Sequence, residues 1–579
     1  MVEEARTENY EAGPIRPATD AYDPARQVLA QAALAKEWTS FYDITPDADR
    51  PFLHSCDGRK PLTFKMLKEF MVSDVVDVPG LGREDRLCTA IPNGPEAAVA
   101  FFSFALRCTF APLNIGLSRD EFEFEFIDLP AKCLVLQSKD SLSEDDQTKT
   151  GNALSVARKA KVEKLMELRP SEEYAGLFAL GKHAACRKLE GEKMGNPIPS
   201  LKREDLALVL HTSGTTKKPK IVPLTHANIC CGAQCIASTV QLKEDDLCCN
   251  TMPLFHIHGQ IVNILASLVS GAQIKCVSGV FHAQTFVKSF GSEPMPNWYS
   301  AVPTMHLQVL QLAEAEQQTN GKVPAHKLEL IRNCSAALVP SVSEQMESLL
   351  GSKIMPTYAM TESMPITSNP RHGVRKLRSV GPAAGPKLCI MKGHPDNEVL
   401  PTGEEGEVCV REGPVTSGYE FREHMDANPN IEALTSDGWL RTGDKGWLDK
   451  DGYLYLSGRF KEIINRAGEK ISPFEVEDVL RQHESIKDVI AFAAPSVELG
   501  ETVGACCVIK EGKSLTIKEL RTWAIKSEKL QAKWVPEALV TMPAIPKGPT
   551  GKPARINLAK RIQMEPLTGM PVEMAHDGF

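Results

Sequence analysis

The most informative chemistry lies between Leu208 and Asn228, LVLHTSGTTKKPKIVPLTHAN. Thr212, Ser213, Thr215 and Thr216 place four hydroxyls around Gly214, and Lys217, Lys218 and Lys220 follow. A polyphosphate needs this mixture: glycine lets backbone amides approach closely, hydroxyls donate to phosphate oxygens and a lysine neutralises charge. No GxxxxGK[ST] pattern is present, so the loop is not of the P-loop NTPase kind. The same residues also fit a surface turn with solvated lysines. A second candidate is Lys552, which closes the loop Pro546-Lys547-Gly548-Pro549-Thr550-Gly551. Backbone constraint there can project one long cation into a cleft, although a solvated lysine has the same local sequence. His256 and His258 stand two apart with no carboxylate partner, which fits pocket lining better than a metal site.

Further motifs follow in order: Tyr358-Ala359-Met360-Thr361-Glu362, Leu440-Arg441-Thr442-Gly443-Asp444, Gly458-Arg459-Phe460-Lys461-Glu462 and Gly548-Pro549-Thr550-Gly551-Lys552. With the hydroxyl-rich loop they resemble the ordered motifs of the adenylate-forming (AMP-binding) superfamily, which includes acyl-CoA synthetases, luciferases and adenylation domains. The resemblance spans roughly residues 50 to 565. It implies ATP or AMP binding by Thr212, Ser213, Gly214, Thr215, Thr216, Lys220, Ser335, Ala336, Thr357, Tyr358, Thr361, Asp444, Arg459, Lys461, Asn465 and Lys552. Tyr358 offers a flat face to adenine, Thr361 a hydroxyl to the α-phosphate and Asp444 two acceptor oxygens to the ribose. Glu362 is a hard oxygen ligand suited to Mg²⁺, which binds through few carboxylates plus substrate phosphates. Lys552, Thr361, Glu362 and His256 are the implied catalytic set, Lys461 the pivot of a swinging C-terminal domain, and Ala467 and Gly468 the border of a coenzyme A tunnel. Two positions depart from the pattern, with Lys217 and Ile221 standing where glycine is usual.

The implied reaction runs in two steps. A carboxylic acid and ATP give an acyl-adenylate and pyrophosphate, and coenzyme A then displaces AMP. The acyl pocket falls on His256, His258, Val302, His306 and Ser335. The wording around Met252 to Gly259, Ala301 to His306 and Cys334 to Leu338 is most similar to the oxalyl-CoA synthetase branch. Oxalate needs a short pocket with polar donors, which the three histidines could supply. A medium-chain fatty acid would instead use Met252, Phe255 and Met305. An adenylation enzyme loading a separate carrier protein, or an oxidative luciferase, shares the same first half-reaction. A non-catalytic binder has no need for Glu362, Asp444, Arg459 and Lys552 together.

The elements that must position these residues alternate β-branched runs, such as Cys133 to Leu136, Leu206 to His211 and Ile274 to Val277, with helical patterns, which argues for α/β units on largely parallel sheets. Thr225, Ser472 and Thr516 read as helix N-caps, the last two followed by Glu three residues on. Lys139 to Thr150 reads as a solvated acidic loop. The expected fold is α/β, with an N-terminal extension (1–50), a large domain of sheet-plus-helix subdomains binding ATP and acid (51–458), and a smaller mobile α/β domain (459–579) carrying Lys552. At 579 residues, 42 % apolar and net charge −8, the chain has a core-forming composition and no electrostatic footprint for nucleic acid or anionic membrane. Its longest apolar stretch, Ala97 to Leu106, is too short to span a bilayer. Sixteen cysteines without a regular framework read as reduced buried thiols. The acidic N-terminus lacks signal or transit character and the last residues are not Ser-Lys-Leu, so a cytoplasmic protein is expected. The sequence does not indicate an oligomeric state.

Overall fold

A computed structural model describes residues 38–181, 200–212, 219–422, 425, 427–546 and 555–577. Two large sheets form the first part. The seven-stranded one runs in the order Phe178–Gly181, Lys164–Pro170, Cys133–Gln137, Arg86–Ala90, Thr109–Pro112, Leu206–His211, Ile221–Thr225. The eight-stranded one runs Ser363–Ser368, Lys353–Met360, Leu330–Asn333, Trp298–Ala301, Leu247–Asn250, Gln273–Cys276, Pro51–Ser55, Leu62–Thr63. Both are parallel at the centre and antiparallel at both edges. The helix Pro95–Phe104, apolar all round, is buried against both sheets, which explains why that stretch is so hydrophobic. Trp38 and Phe41, inside the expected N-terminal extension, are packed into the same core.

The sequence reading did not anticipate a four-stranded antiparallel sheet, Lys387–Met391, Gly406–Arg411, Leu440–Leu448 and Leu454–Arg459. A final six-stranded sheet combines Glu469–Ile471, Ile464–Arg466, Gly500–Ile509, Ala538–Thr541 and Val572–Ala575, with Ile486–Ser496 paired along Gly500–Ile509. The chain passes from one sheet to the other at residues 460–463.

Two local expectations are corrected. Lys139 to Thr150 is mostly helical: Ser143 caps Glu144–Lys159, three acids fill its first turn, and Thr150, Ala153, Val156 and Ala157 are buried along one face. The acidic run is thus a helix start stabilised by the macrodipole. Ser472 precedes the helix Pro473–Leu480 but does not cap it; its hydroxyl donates to the Ser457 carbonyl, across the junction of the two sheets. Thr225 and Thr516 do form capping boxes, with Asn228 and Glu519.

Gly232 sets a distance that matters for the site. It lies in the helix His226–Val240, and a Cβ there would stand 2.1 Å from the Met364 carbonyl oxygen on the strand Ser363–Ser368. Since the obstruction is backbone, Gly232→Ala must push the helix off the strand. Overpacking of this kind costs about 1–3 kcal/mol, so a fall in the thermal midpoint is expected; a midpoint equal to wild type would refute the close packing.

Candidate active site

The strand Leu206–His211 delivers the chain to the hydroxyl-rich loop, whose ends are tied to each other. The Thr212 amide donates to the Lys220 carbonyl at 2.8 Å, and the Lys220 amide donates to Thr212 Oγ1 at 3.0 Å. Ser213, Gly214, Thr215 and Thr216 lie outside the described residues. Ile221, at a position where glycine was expected, opens the strand Ile221–Thr225 opposite His211 and is fully buried in an apolar cluster, which accounts for its β-branched side chain.

At the end of the strand Leu206–His211, His211 sits between two carboxylates of the helix Arg119–Asp128, 2.5 Å from Glu125 and 2.7 Å from Asp128. Arg422 reaches the Asp128 carbonyl from the other side. Burial lowers the imidazole pKa, but the hydrogen bonds to Asp128 and Glu125 outweigh it and push it up to about 9. Its folded pKa therefore exceeds the unfolded value near 6.5, and its contribution to stability is complete below about pH 6.5 and lost as pH rises through about 9. Chemical denaturation across pH 6 to 10 should show this decline in wild type and a flatter profile in His211→Gln; parallel profiles would refute it.

Thr361 and Glu362 form the two-residue tip of the hairpin between Lys353–Met360 and Ser363–Ser368, with Met360 opposite Ser363. The Glu362 carboxylate, 5 % exposed, accepts the Tyr419 hydroxyl at 2.5 Å. The Lys220 ammonium lies 4.2 Å from the centre of the Tyr419 ring. Burial, and then the Glu362 charge, push the Tyr419 phenol far up, so it stays a hydrogen-bond donor. A cation and a carboxylate thus meet through one tyrosine at the mouth of the loop.

Tyr358 is almost buried, and its hydroxyl donates to Asp444, whose other oxygen accepts Arg459 Nε at 2.9 Å. Asp444 and Arg459 are paired across the strands Leu440–Leu448 and Leu454–Arg459, so the sheet itself brings them together. Thr357 donates to the Asn333 carbonyl at 2.7 Å, and Asn333 donates to the Ala336 carbonyl at 2.9 Å. Ser335 holds a left-handed backbone, φ +70°, rare for a non-glycine residue and typical of functional loops.

The acyl-pocket residues divide. His258 is fully buried, bonding Ser335 Oγ at 3.1 Å through Nδ1 and Ser300 Oγ at 2.7 Å through Nε2; its backbone amide donates to His256 Nδ1 at 3.2 Å. His256, His258 and Ser335 therefore form one cluster. Val302 stands just before the helix Pro303–Asn320. His306, on that helix, bonds the Tyr299 hydroxyl at 3.2 Å, and burial pushes its imidazole down to about 3. Tyr299 and Ser300 are neighbours in one strand and point to opposite faces, so His306 is separated from His258 by the sheet. The structure adds Arg332, which the sequence reading passed over. Its only signal was a lone charge within the apolar strand Leu330–Asn333.

Lys461, in the passage between the sheets, and Asn465, Ala467 and Gly468, in the last sheet, are exposed. Ala467 (φ +49°) and Gly468 (φ +94°) form the tip of the hairpin Ile464–Arg466 with Glu469–Ile471, the turn type that needs two left-handed residues. The Gly468 amide donates to Asn465 Oδ1 at 3.2 Å. Lys552 lies outside the described residues. Three residues later Arg555 is buried and held on all sides: it pairs with Glu462, with Glu477 at 2.6 Å, donates to the Ala491 carbonyl at 2.7 Å and covers the Phe474 ring at 4.6 Å. Among the described residues no cluster of three His, Cys, Asp or Glu side chains could hold a metal.

Comparison with known proteins identifies the family. The profile of AMP-binding enzymes matches residues 47–420, and that of the AMP-binding enzyme C-terminal domain matches residues 475–552. An oxalate–CoA ligase of Arabidopsis thaliana is 33 % identical, covering 88 % of this chain and 96 % of that protein. One of Saccharomyces cerevisiae is also 33 % identical, covering 83 % and 87 %. An ATP-bound crystal structure of MatB from Rhodopseudomonas palustris has the same fold, with a TM-score of 0.76 at 21 % identity over 90 % of this chain and 98 % of that one. By sequence match along most of its length, the chain belongs to the AMP-binding enzymes, a family of AMP-forming acid–thiol ligases.

Proposed function

We propose that this enzyme activates a short dicarboxylic acid, oxalate foremost, as its coenzyme A thioester. The observation that carries this reading is the polar chain in the acyl region: His258 and Ser300, both buried, and half-buried Ser335 are joined by hydrogen bonds where a fatty acid would need an apolar channel. The oxalate–CoA ligases among its relatives support the same choice.

In the first step a carboxylate oxygen of the acid attacks the α-phosphorus of ATP and pyrophosphate leaves. Repulsion between the two anions is the obstacle, and fixed cations and donors lower it. Lys220 and the hydroxyl-rich loop face the phosphates, Asp444 grips the ribose, Tyr358 lies against adenine, and Lys552 approaches the carboxylate and α-phosphate. Glu362 fits Mg²⁺: its carboxylate is an acceptor-only oxygen ligand, anchored by the Tyr419 hydroxyl. Bound there with the nucleotide, the ion supplies charge neutralisation on the phosphates. In the second step the coenzyme A thiol gives up its proton, its sulfur attacks the acyl carbonyl and AMP leaves. The part of the chain from Arg459 onward turns about Lys461 between the steps, exchanging Lys552 for the hairpin tip Ala467-Gly468, which admits the thiol arm. All fifteen described cysteines are free and all but Cys56 are buried, which supports a reducing, cytoplasmic setting.

The test is acid-dependent ATP–pyrophosphate exchange over a panel from oxalate to medium-chain acids, with mass detection of the thioester. Exchange and thioester with oxalate or malonate are expected. Exchange confined to fatty acids would overturn the substrate; exchange without thioester would point to a carrier protein as acceptor, and no exchange at all to a binding protein.

A further inference from the structure

Arg332 stands on Leu330–Asn333, a central strand of the eight-stranded sheet, and is 1 % exposed. Its guanidinium makes a weak contact from Nη1 to Ser300 Oγ at 3.4 Å and has the neutral Cys334 thiol beside it, while Nε and Nη2 are buried with no nitrogen or oxygen partner. Among the described residues no carboxylate pairs with it. An uncompensated cation in a protein interior is strongly unfavourable, so one that is retained calls for an anion that arrives later. Burial lowers its pKa, yet a guanidinium stays protonated.

The surroundings specify that anion. Ser300 Oγ, which Arg332 Nη1 approaches, also bonds His258 Nε2, and His258 Nδ1 bonds Ser335. Arg332 therefore lies one serine and one histidine from the strained Ser335 and on the same face of the sheet as Ser300, its neighbour in register. The unpartnered atoms are Nε and Nη2, the side edge of the guanidinium. That edge presents two parallel N–H groups, matching the two oxygens of a carboxylate. We propose that Arg332 anchors the second carboxylate of the acid and so sets the specificity for a short dicarboxylate. The assignment rests on the dicarboxylate reading above. One carboxylate reacts at the α-phosphorus while the other is held on the Nε–Nη2 edge beside Ser300; a monocarboxylate leaves that edge unpaired.

The experiment compares full-length wild type, Arg332→Met and Arg332→Lys with oxalate, malonate, acetate and butyrate, measuring kcat and KM for thioester formation at saturating ATP and coenzyme A, KM for ATP, and the thermal midpoint without ligands. Methionine matches the stem in volume and removes the buried charge. For Arg332→Met, kcat/KM for the dicarboxylates should fall at least about 100-fold, chiefly through KM, as when a site loses a charge-assisted bidentate partner. Rates with acetate and butyrate should be unchanged or raised, KM for ATP unchanged, and the midpoint equal to or above that of wild type. Arg332→Lys should fall between the two. An unaltered ratio of dicarboxylate to monocarboxylate activity in Arg332→Met overturns the assignment alone. A methionine variant that fails to fold, or melts well below wild type, makes the guanidinium a packing element and also overturns it. A wild type active only on monocarboxylates overturns the dicarboxylate reading and the assignment with it.

Discussion

Glu362→Gln is expected to lower the rate of acid-dependent pyrophosphate exchange by about 10²–10³-fold, the range seen when one preorganised electrostatic partner of a transition state is removed. The substitution is nearly isosteric, and its amide oxygen can still accept the Tyr419 hydroxyl, so the hairpin tip at Thr361-Glu362 should keep its place. The negative charge is what disappears. The Mg²⁺ concentration for half-maximal exchange should rise, while a supplied acyl-adenylate, which carries no pyrophosphate, should still be converted to thioester within a few-fold of wild type. Equal loss in both half-reactions would show that Glu362 serves the fold or the acyl group instead of the triphosphate.

Lys552→Ala should be still more severe in the first half-reaction, about 10³-fold or more, because the role proposed for this cation, at the carboxylate and α-phosphate, is to act where charge builds up. Conversion of a supplied acyl-adenylate should survive, since the proposed second step faces Ala467-Gly468 toward the site. Lys547→Ala, five residues earlier in the same loop, is the control and should leave exchange within a few-fold. Arg555, in turn, fixes where the chain leaves that loop, by its pairs with Glu462 and Glu477. Loss of thioester formation from supplied adenylate in a folded Lys552→Ala would defeat the division of labour between the two faces.

Much of this arrangement was legible in the residues, and the exceptions have physical causes. Strands such as Leu206–His211 and Cys133–Gln137 were found because buried parallel strands read as unbroken apolar runs. The N-caps Thr225 and Thr516 were found because a cap bonds within its own first turn; the box that Thr225 completes with Asn228 was not foreseen. Ser472 has equally good local chemistry, but its hydroxyl goes to Ser457, fifteen residues back, and no local rule sees that competitor. The acidic run after Lys139 looked solvated because charge masked a buried stripe of small residues, Ala153, Val156 and Ala157. Tyr358, Glu362, Asp444 and Arg459 were grouped by motif order; the structure joins Tyr358, Asp444 and Arg459 through hydrogen bonds and a strand pair, while Glu362 bonds Tyr419. His306 and Arg332 went the other way. Which side of the sheet each occupies depends on strand parity, and a shift of one residue inverts it. His306 was grouped with His258 although a strand divides them, and Arg332 was passed over although it shares His258's serine.

The reciprocal bonds between Thr212 and Lys220 carry a consequence for affinity. Bringing the ends of a flexible segment together costs entropy that grows only with the logarithm of its length. Here the fold has already met that cost, through an eight-residue spacing closed by two backbone amides. A nucleotide bound as proposed would meet Thr212 and Lys220 already fixed to each other, and preorganisation of this kind leaves more of the contact energy available as binding.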